Sequence, residues 1–217
     1  MSQSQWEARL AKLESAREIC NLQGRYNHYM QTGQLKERLP ELFALDTPGL
    51  KAEMCDSGLW EGPDGLMHLF SHMGTKYSMP GSLMVHMLLS PVIEINNDNT
   101  RAKGMWNSFG TNTYLTKDGT LEAMWQVGKY DQTFCKENGR WKFLEFKWYV
   151  IFRTPYSDGW VKRPLVEGLH EEGFPAVSHL HTPYDPNKAV NTFLPFPPEP
   201  GMPAASVPTT SNRQTES

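Results

Sequence analysis

Along the first thirty residues the apolar positions recur at helical spacing, and beyond residue 82 they switch to the two-residue period of strands. Ile19, Leu22, Tyr26 and the pair Tyr29/Met30 mark one face of a helix predicted over residues 5–31. Gly24 is tolerable inside it and Gly33 ends it. A second short helix is predicted over residues 35–45, stopping before the breakers Pro48 and Gly49. KAEMCDSGLWEG then reads as one strand entering a Gly-Pro turn. GPDGLMHLFSHMG reads as a helix with Leu66, Leu69, Phe70 and Met73 on one face.

Four long strands follow. The first covers residues 83–96, with Pro91 implying a bulge or an edge position. After the Asn97-Asp98-Asn99 turn come strands over 101–115, 122–136 and 140–153, separated by KDG and ENG. In the last of these the even positions Leu144, Phe146, Trp148, Val150 and Phe152 are apolar. The odd positions carry Glu145, Lys147, Tyr149 and Arg153, so one face is expected to pack and the other to meet water, a subunit or a ligand. Helices first and long antiparallel strands afterwards make an α+β plan, a curved antiparallel sheet wrapped around N-terminal helices. The expected organisation is a domain over 1–155, an extension over 156–200 packing on the domain or a partner subunit, and a Pro/Ser/Thr-rich disordered tail over 201–217.

Composition narrows the classes. The 217 residues are 39% hydrophobic with a net charge of −3, enough for one core and without the basic footprint of a nucleic-acid or anionic-membrane binder. Apolar runs fall far short of the roughly 18 residues of a membrane helix, and the charged N-terminus lacks a signal-peptide core. Three scattered cysteines, Cys20, Cys55 and Cys135, match neither a disulfide framework nor a zinc cluster, so a cytoplasmic setting is expected. Seven Trp and 12% aromatic residues fill a core or line a pocket for an aromatic ligand.

The chemistry starts at His86, which opens the apolar run VHMLLSPVIEIN. A histidine there is either a satisfied core residue or a group that takes and gives a proton. His68 and His72 have the i, i+4 spacing of a metal pair, but they lie opposite the apolar face and no Glu follows His68. His179 and His181 are a weak pair in the C-terminal region, and no nucleotide or serine-nucleophile motif is present. Neither metal nor cofactor is expected.

RYNHYMQTGQ in the first helix, the GLWEGPDGL junction, VHMLLSPVIEI and VGKYDQTFCKENGRWKFLEFKWY together resemble the SnoaL-like branch of the nuclear transport factor 2 superfamily, over residues 10–155. That branch is a cone-shaped α+β barrel holding a deep pocket, and it includes scytalone dehydratase, bile acid 7α-dehydratase, ketosteroid isomerases, polyketide cyclases and diarylpropane lyases. The resemblance implies that His86 is a general acid or base and Tyr26 its hydrogen-bonding partner. The family's pattern is incomplete here. Gln31 stands at the acidic position five residues after Tyr26, the strand aspartate falls near Gly110, and the last-strand arginine falls at Ile151, with Arg153 the nearest substitute.

A carboxylate would have to come from Asp56, taken as the second acid/base, with Asp46 and Asp131 weaker options. Trp60, Trp106 and Tyr130 are candidate ring-binding residues, and Lys147, Tyr149 and Arg153 could stabilise a phenolate if their strand face lines the pocket. The expected activity is a cofactor-independent lyase expelling water or a one-carbon fragment such as formaldehyde. Its substrate would be a hydroxylated aromatic or polycyclic small molecule, with lignin-derived diarylpropanes favoured. A proton-shuttling isomerase and a non-catalytic binding module are the alternatives, and a homo-oligomer, dimer or trimer, is expected without nucleic-acid or membrane partners.

Overall fold

A computed structural model describes residues 2–54, 58–76, 79–116, 118–166, 175 and 182–201. Helix α1, Gln3–Gln31, begins at a capping box in which Ser2 and Gln5 satisfy each other's backbone amides. Its apolar stripe buries Ile19, Leu22, Tyr26 and Met30, while Trp6, Leu10 and Leu13 at its start stay exposed. Helix α2, Leu35–Leu42, ends three residues earlier than its pattern predicts. The chain leaves it to pair with the sheet, where the Ala44 amide donates to the carbonyl of Phe143 at 2.9 Å.

KAEMCDSGLWEG forms two short antiparallel strands rather than one, β1, Lys51–Met54, and β2, Leu59–Glu61. Helix α3, Gly62–Lys76, buries Leu66, Leu69 and Phe70. The four long strands are β3, Met84–Ile95, β4, Arg101–Leu115, β5, Leu121–Glu137, and β6, Arg140–Pro155, followed by the short helix α4, Gly159–Lys162. The six strands form one curved sheet in the order β2-β1-β6-β5-β4-β3. It is not antiparallel throughout. β1 lies parallel to β6, a pairing between the first and last strands of the chain rather than within a hairpin.

Register shifts on β3 and β6 set which side chains face inward. On β3 the register shifts between Leu89 and Val92, where Ser90 takes φ 51 beside Pro91, matching the bulge and the edge position that the proline implies. On β6 two residues are extra. Leu144 is one, because Thr133 pairs with Glu145 but Phe134 with Phe143, which takes it off the Phe146 face where its even position had placed it. Ile151 is the other, because Gly128 pairs with Val150 but Val127 with Phe152. The alternation therefore inverts within β6. Phe146, Trp148 and Val150 point into the cone, and beyond the bulge so does Arg153, which is fully buried.

The helices fill the cone. Tyr26 sits at its centre, its ring centroid 4.5 Å from Phe146, 5.9 Å from Phe143 and 6.2 Å from both Phe70 and Tyr130. Residues 182–201 cross the opposite, outer side of the sheet. The Tyr184 amide donates to the Ile151 carbonyl at 2.6 Å, Lys129 Nζ donates to the carbonyls of Phe193 and Pro195 at 2.6 and 3.1 Å, and the Gly201 amide reaches Glu94 at 3.4 Å. No described helix is long and apolar enough to cross a membrane.

Candidate active site

His86 is the second inward position of β3, buried beneath the mouth of the cone. Asn27 on α1 anchors its backbone, donating from Nδ2 to the His86 carbonyl at 2.7 Å. The ring is held by side chains. The Tyr130 hydroxyl lies 2.9 Å from Nδ1, and the Gln126 amide nitrogen is hydrogen-bonded to Nε2. With that amide donating to Nε2, the ring proton sits on Nδ1 and is donated to the Tyr130 oxygen. Trp148 covers one face of the imidazole at 5.7 Å.

Two glycines make this packing possible. Gly110 pairs with His86 across the ladder, and a Cβ there would lie 2.1 Å from the Val85 carbonyl oxygen and 3.0 Å from the imidazole. Gly128 clears the Trp148 ring, which a Cβ would approach to 2.5 Å.

Burial pushes the His86 pKa down to about 4, with the Arg153 guanidinium adding to the depression and Asn112 opposing it. The imidazole is therefore neutral at physiological pH and available as a base. Arg153 Nη1 donates to the Val166 carbonyl at 3.1 Å, and its guanidinium lies 5.5 Å from the Tyr114 ring. Asn112 stands near enough to favour the charged ring, yet its Oδ1 makes no hydrogen bond among the described residues. A base, a cation and amide groups thus converge in a dry interior, where charge developing on a bound molecule is strongly stabilised. A cavity of about 300 Å³, bordered by Met30, Leu35, Phe70, Met73, Met84 and Val85, lies beside the start of β3, and the residues that surround the imidazole do not line it.

Of the residues expected at the site, His86, Tyr130 and Arg153 come together. Tyr26 is fully buried among the core rings, and burial and the neighbouring Tyr130 hold its hydroxyl pKa well above the ordinary value. The hydrogen bond to His86 expected from Tyr26 comes instead from Tyr130. Lys147 and Tyr149 do not share a face with Arg153, because the Ile151 bulge separates them. They lie on the outer side, Lys147 4.0 Å from Glu53, and burial together with Asp131, Glu53 and Glu145 raises the Tyr149 pKa.

Trp60 stacks on His68 at 4.9 Å, which ties that histidine to the junction of β2 and α3. Trp106 packs edge-on against Phe134, deeper in the cone. Asp56 lies outside the described residues, as do Cys55, His179 and His181. Asp46 is placed by its amide on Glu137 at 3.0 Å, and Asp131 pairs with Lys103 at 2.9 Å on the outer face. Gln126 and Asn112 were not expected. Their signal was phase: both are polar residues at inward positions, in step with Tyr130 and Phe134 or with Trp106.

The chain belongs to the SnoaL-like domain family, which it matches over residues 11–147. Among solved structures, a candidate scytalone dehydratase from Novosphingobium aromaticivorans aligns with TM-score 0.57 at 18% identity, over 75% of this chain and 96% of that one. A type 3 LinA hexachlorocyclohexane dehydrochlorinase from Novosphingobium barchaimii aligns with TM-score 0.57 at 15% identity, over 74% of this chain and 99% of that one. A protein described as NTF2-like, from Novosphingobium aromaticivorans, gives TM-score 0.52 at 18% identity, over 69% and 90%. At such identities the likeness is one of fold. No curated protein matches the sequence.

Proposed function

We propose, with SnoaL-like membership as the premise, that this chain is a cofactor-independent lyase that eliminates a small group from a hydroxylated aromatic or polycyclic molecule. The observation that carries the reading is His86: a buried neutral imidazole whose two nitrogens are met by the side chains of Tyr130 and Gln126. A histidine that served packing alone in a binding module would be satisfied by backbone, and this one is not. The names of two fold neighbours, a dehydratase and a dehydrochlorinase, denote eliminations and support the same class.

In the proposed step the substrate displaces the Gln126 amide from Nε2. That nitrogen takes a proton from carbon, the C–H electrons form the new double bond, and the hydroxyl leaves as water with a proton returned from the imidazolium. For a hydroxymethyl substrate the proton comes from oxygen instead, and the adjacent C–C bond breaks to release formaldehyde. The electron pair of that bond forms the new double bond as the hydroxyl on the next carbon leaves as water with the imidazolium's proton. Arg153 and Asn112 stabilise the developing anion, and Tyr130 holds the ring through Nδ1. Asp56 remains the proposed second acid/base, and aromatic substrates, lignin-derived diarylpropanes among them, remain the favoured class. A homo-oligomer of two or three chains belongs to the same proposal, supported by Met87 and Leu89 standing exposed on edge strand β3.

The test is turnover, without added metal or cofactor, of hydroxylated diarylpropanes, phenylcoumarans and hydroxysteroids by wild type and His86→Ala. Loss of about 10²–10⁴-fold in the folded variant is expected. Equal turnover by the two proteins would remove His86 from the chemistry.

A further inference from the structure

Helix α1 changes its apolar face halfway along. Its inward line in the second half holds Ser15, Ile19, Leu22, Tyr26 and Met30, all buried. Traced back at helical spacing, that line runs through Ala11, Ala8 and Ser4, side chains too small to carry a core. The large apolar residues of the first half, Trp6, Leu10 and Leu13, form their own stripe at i, i+4 and i+7. At about 100° per residue, that stripe stands roughly 150° around the helix from Ile19, Leu22, Tyr26 and Met30. The three side chains are 56%, 57% and 70% exposed, and a shallow groove runs along them.

The chain's own sheet cannot cover this stripe while Ile19 and Tyr26 stay in the core, because one straight helix cannot turn both faces to it. Residues 2–10 are all exposed. A helical segment of that length is marginal in water by itself, and three large apolar residues in line on it suit a partner. The charges beside the stripe say which partner. Trp6 and Leu13 take d positions and Leu10 an a position of a heptad, so Glu7 and Glu14 fall on the e flank and Arg9 on the g flank. The Arg9 guanidinium lies 5.3 Å from the Trp6 ring, beside the seam. Two parallel copies set the g flank of each against the e flank of the other, which brings Arg9 to Glu14. Antiparallel copies would set the acidic flanks against each other, and an anionic lipid surface would be repelled by the same flank.

We propose that the first half of α1 pairs in parallel with the same segment of a second copy of this chain, with Trp6, Leu10 and Leu13 forming the seam and Arg9 of each copy meeting Glu14 of the other. The inward face of α1 points away from the seam, so the two domains hang on opposite sides of the pair without collision. Three apolar residues from each chain make a small contact, below the roughly 1,200 Å² of a standard interface, so the dimer is weak and reversible. The seam is independent of the lyase chemistry, and Met87 and Leu89 on edge strand β3 are a separate surface.

Sedimentation velocity of the full chain over about a thousandfold dilution is expected to show a reversible monomer–dimer equilibrium. Leu10→Gln/Leu13→Gln keeps helix-favouring side chains on an exposed face and is expected to weaken association about tenfold or more, with the far-UV spectrum unchanged. Arg9→Glu alone and Glu14→Arg alone should each weaken it several-fold, and the double swap Arg9→Glu/Glu14→Arg should restore it. A chain that stays monomeric at every concentration, a stripe variant that associates like wild type, or a double swap that fails to restore association would overturn the seam. So would association lost in Met87→Gln/Leu89→Gln but kept in the stripe variant, which would place the contact on β3. Flotation with phosphatidylcholine–phosphatidylglycerol vesicles is expected to leave the protein unbound. Vesicle binding that the stripe variant abolishes would assign Trp6, Leu10 and Leu13 to a lipid surface and overturn the pair.

Discussion

Gly110 and His86 face each other across the β3–β4 ladder, with no room between the strands for a Cβ at position 110. An aspartate has no room at position 110, and Tyr130, from the next strand, meets Nδ1. Gly110→Ala is expected to cost about 1–3 kcal/mol of stability, as overpacking of a filled site does. Gly110→Asp is expected to lose stability without gaining activity. Thermal unfolding of both variants, with turnover alongside, checks this. A stable and more active aspartate variant would contradict it.

His86 makes stability depend on acid. Its folded pKa, about 4, lies below the ordinary histidine value of 6.5. Between those values the unfolded chain binds the proton and the folded one does not, so stability falls as pH drops through that window. A depression of this size corresponds to about 3 kcal/mol at full development. Denaturant unfolding of wild type and His86→Gln from pH 7 to pH 4 is expected to show the excess loss in wild type alone. The acid limb of the turnover profile should likewise fall near the depressed value.

Tyr130→Phe keeps the ring that packs against Tyr26 and Phe146 and removes only the oxygen at Nδ1. A stability loss of about 1 kcal/mol and a fall in kcat of about tenfold or more are expected. Tyr26→Phe tests the other hydroxyl. Because that group bonds to nothing among the described residues, the change should leave stability unaltered or improved.

Arg153→Met removes the cation that helps depress His86. The histidine, followed by its ring proton resonances, is expected to titrate at higher pH than in wild type. The same change removes the side-chain bond to the Val166 carbonyl, so amide exchange around residues 164–166 should quicken. An unmoved titration would mean that the guanidinium is screened from the ring.

Lys129 ties residues 193 and 195 to the outer sheet face by two hydrogen bonds. Lys129→Met should cost about 1 kcal/mol and speed proteolytic cleavage between residues 185 and 197, with little effect on turnover.

The long strands could be read from the sequence because each alternates over a dozen or more residues between turn signals, and their observed bounds differ from the pattern by a residue or two. The α1 stripe was legible for the same reason. The face assignment on β6 failed at Leu144 and at Ile151, where the register shifts. Alternation carries phase only while the register is unbroken, and nothing in WYVIFR marks Ile151 as the extra residue. His86 stood out because it interrupts an apolar run. Gln126, Asn112, Gln23 and Gln132 did not, since a polar residue on a strand or helix usually marks the solvent side. Phase with inward aromatics hinted at Gln126 and Asn112, and burial in the folded chain shows that all four point inward.

The bulge at Ile151 also bears on how such a protein diversifies. The family match ends at residue 147, so the extra residue and the guanidinium it turns inward belong to the stretch beyond it. Deleting Ile151 would make the ladder regular while keeping Phe152 opposite Val127 and Arg153 opposite Gln126, so the guanidinium would stay inside. The electrostatic character of the interior can thus survive a three-nucleotide deletion that straightens the strand.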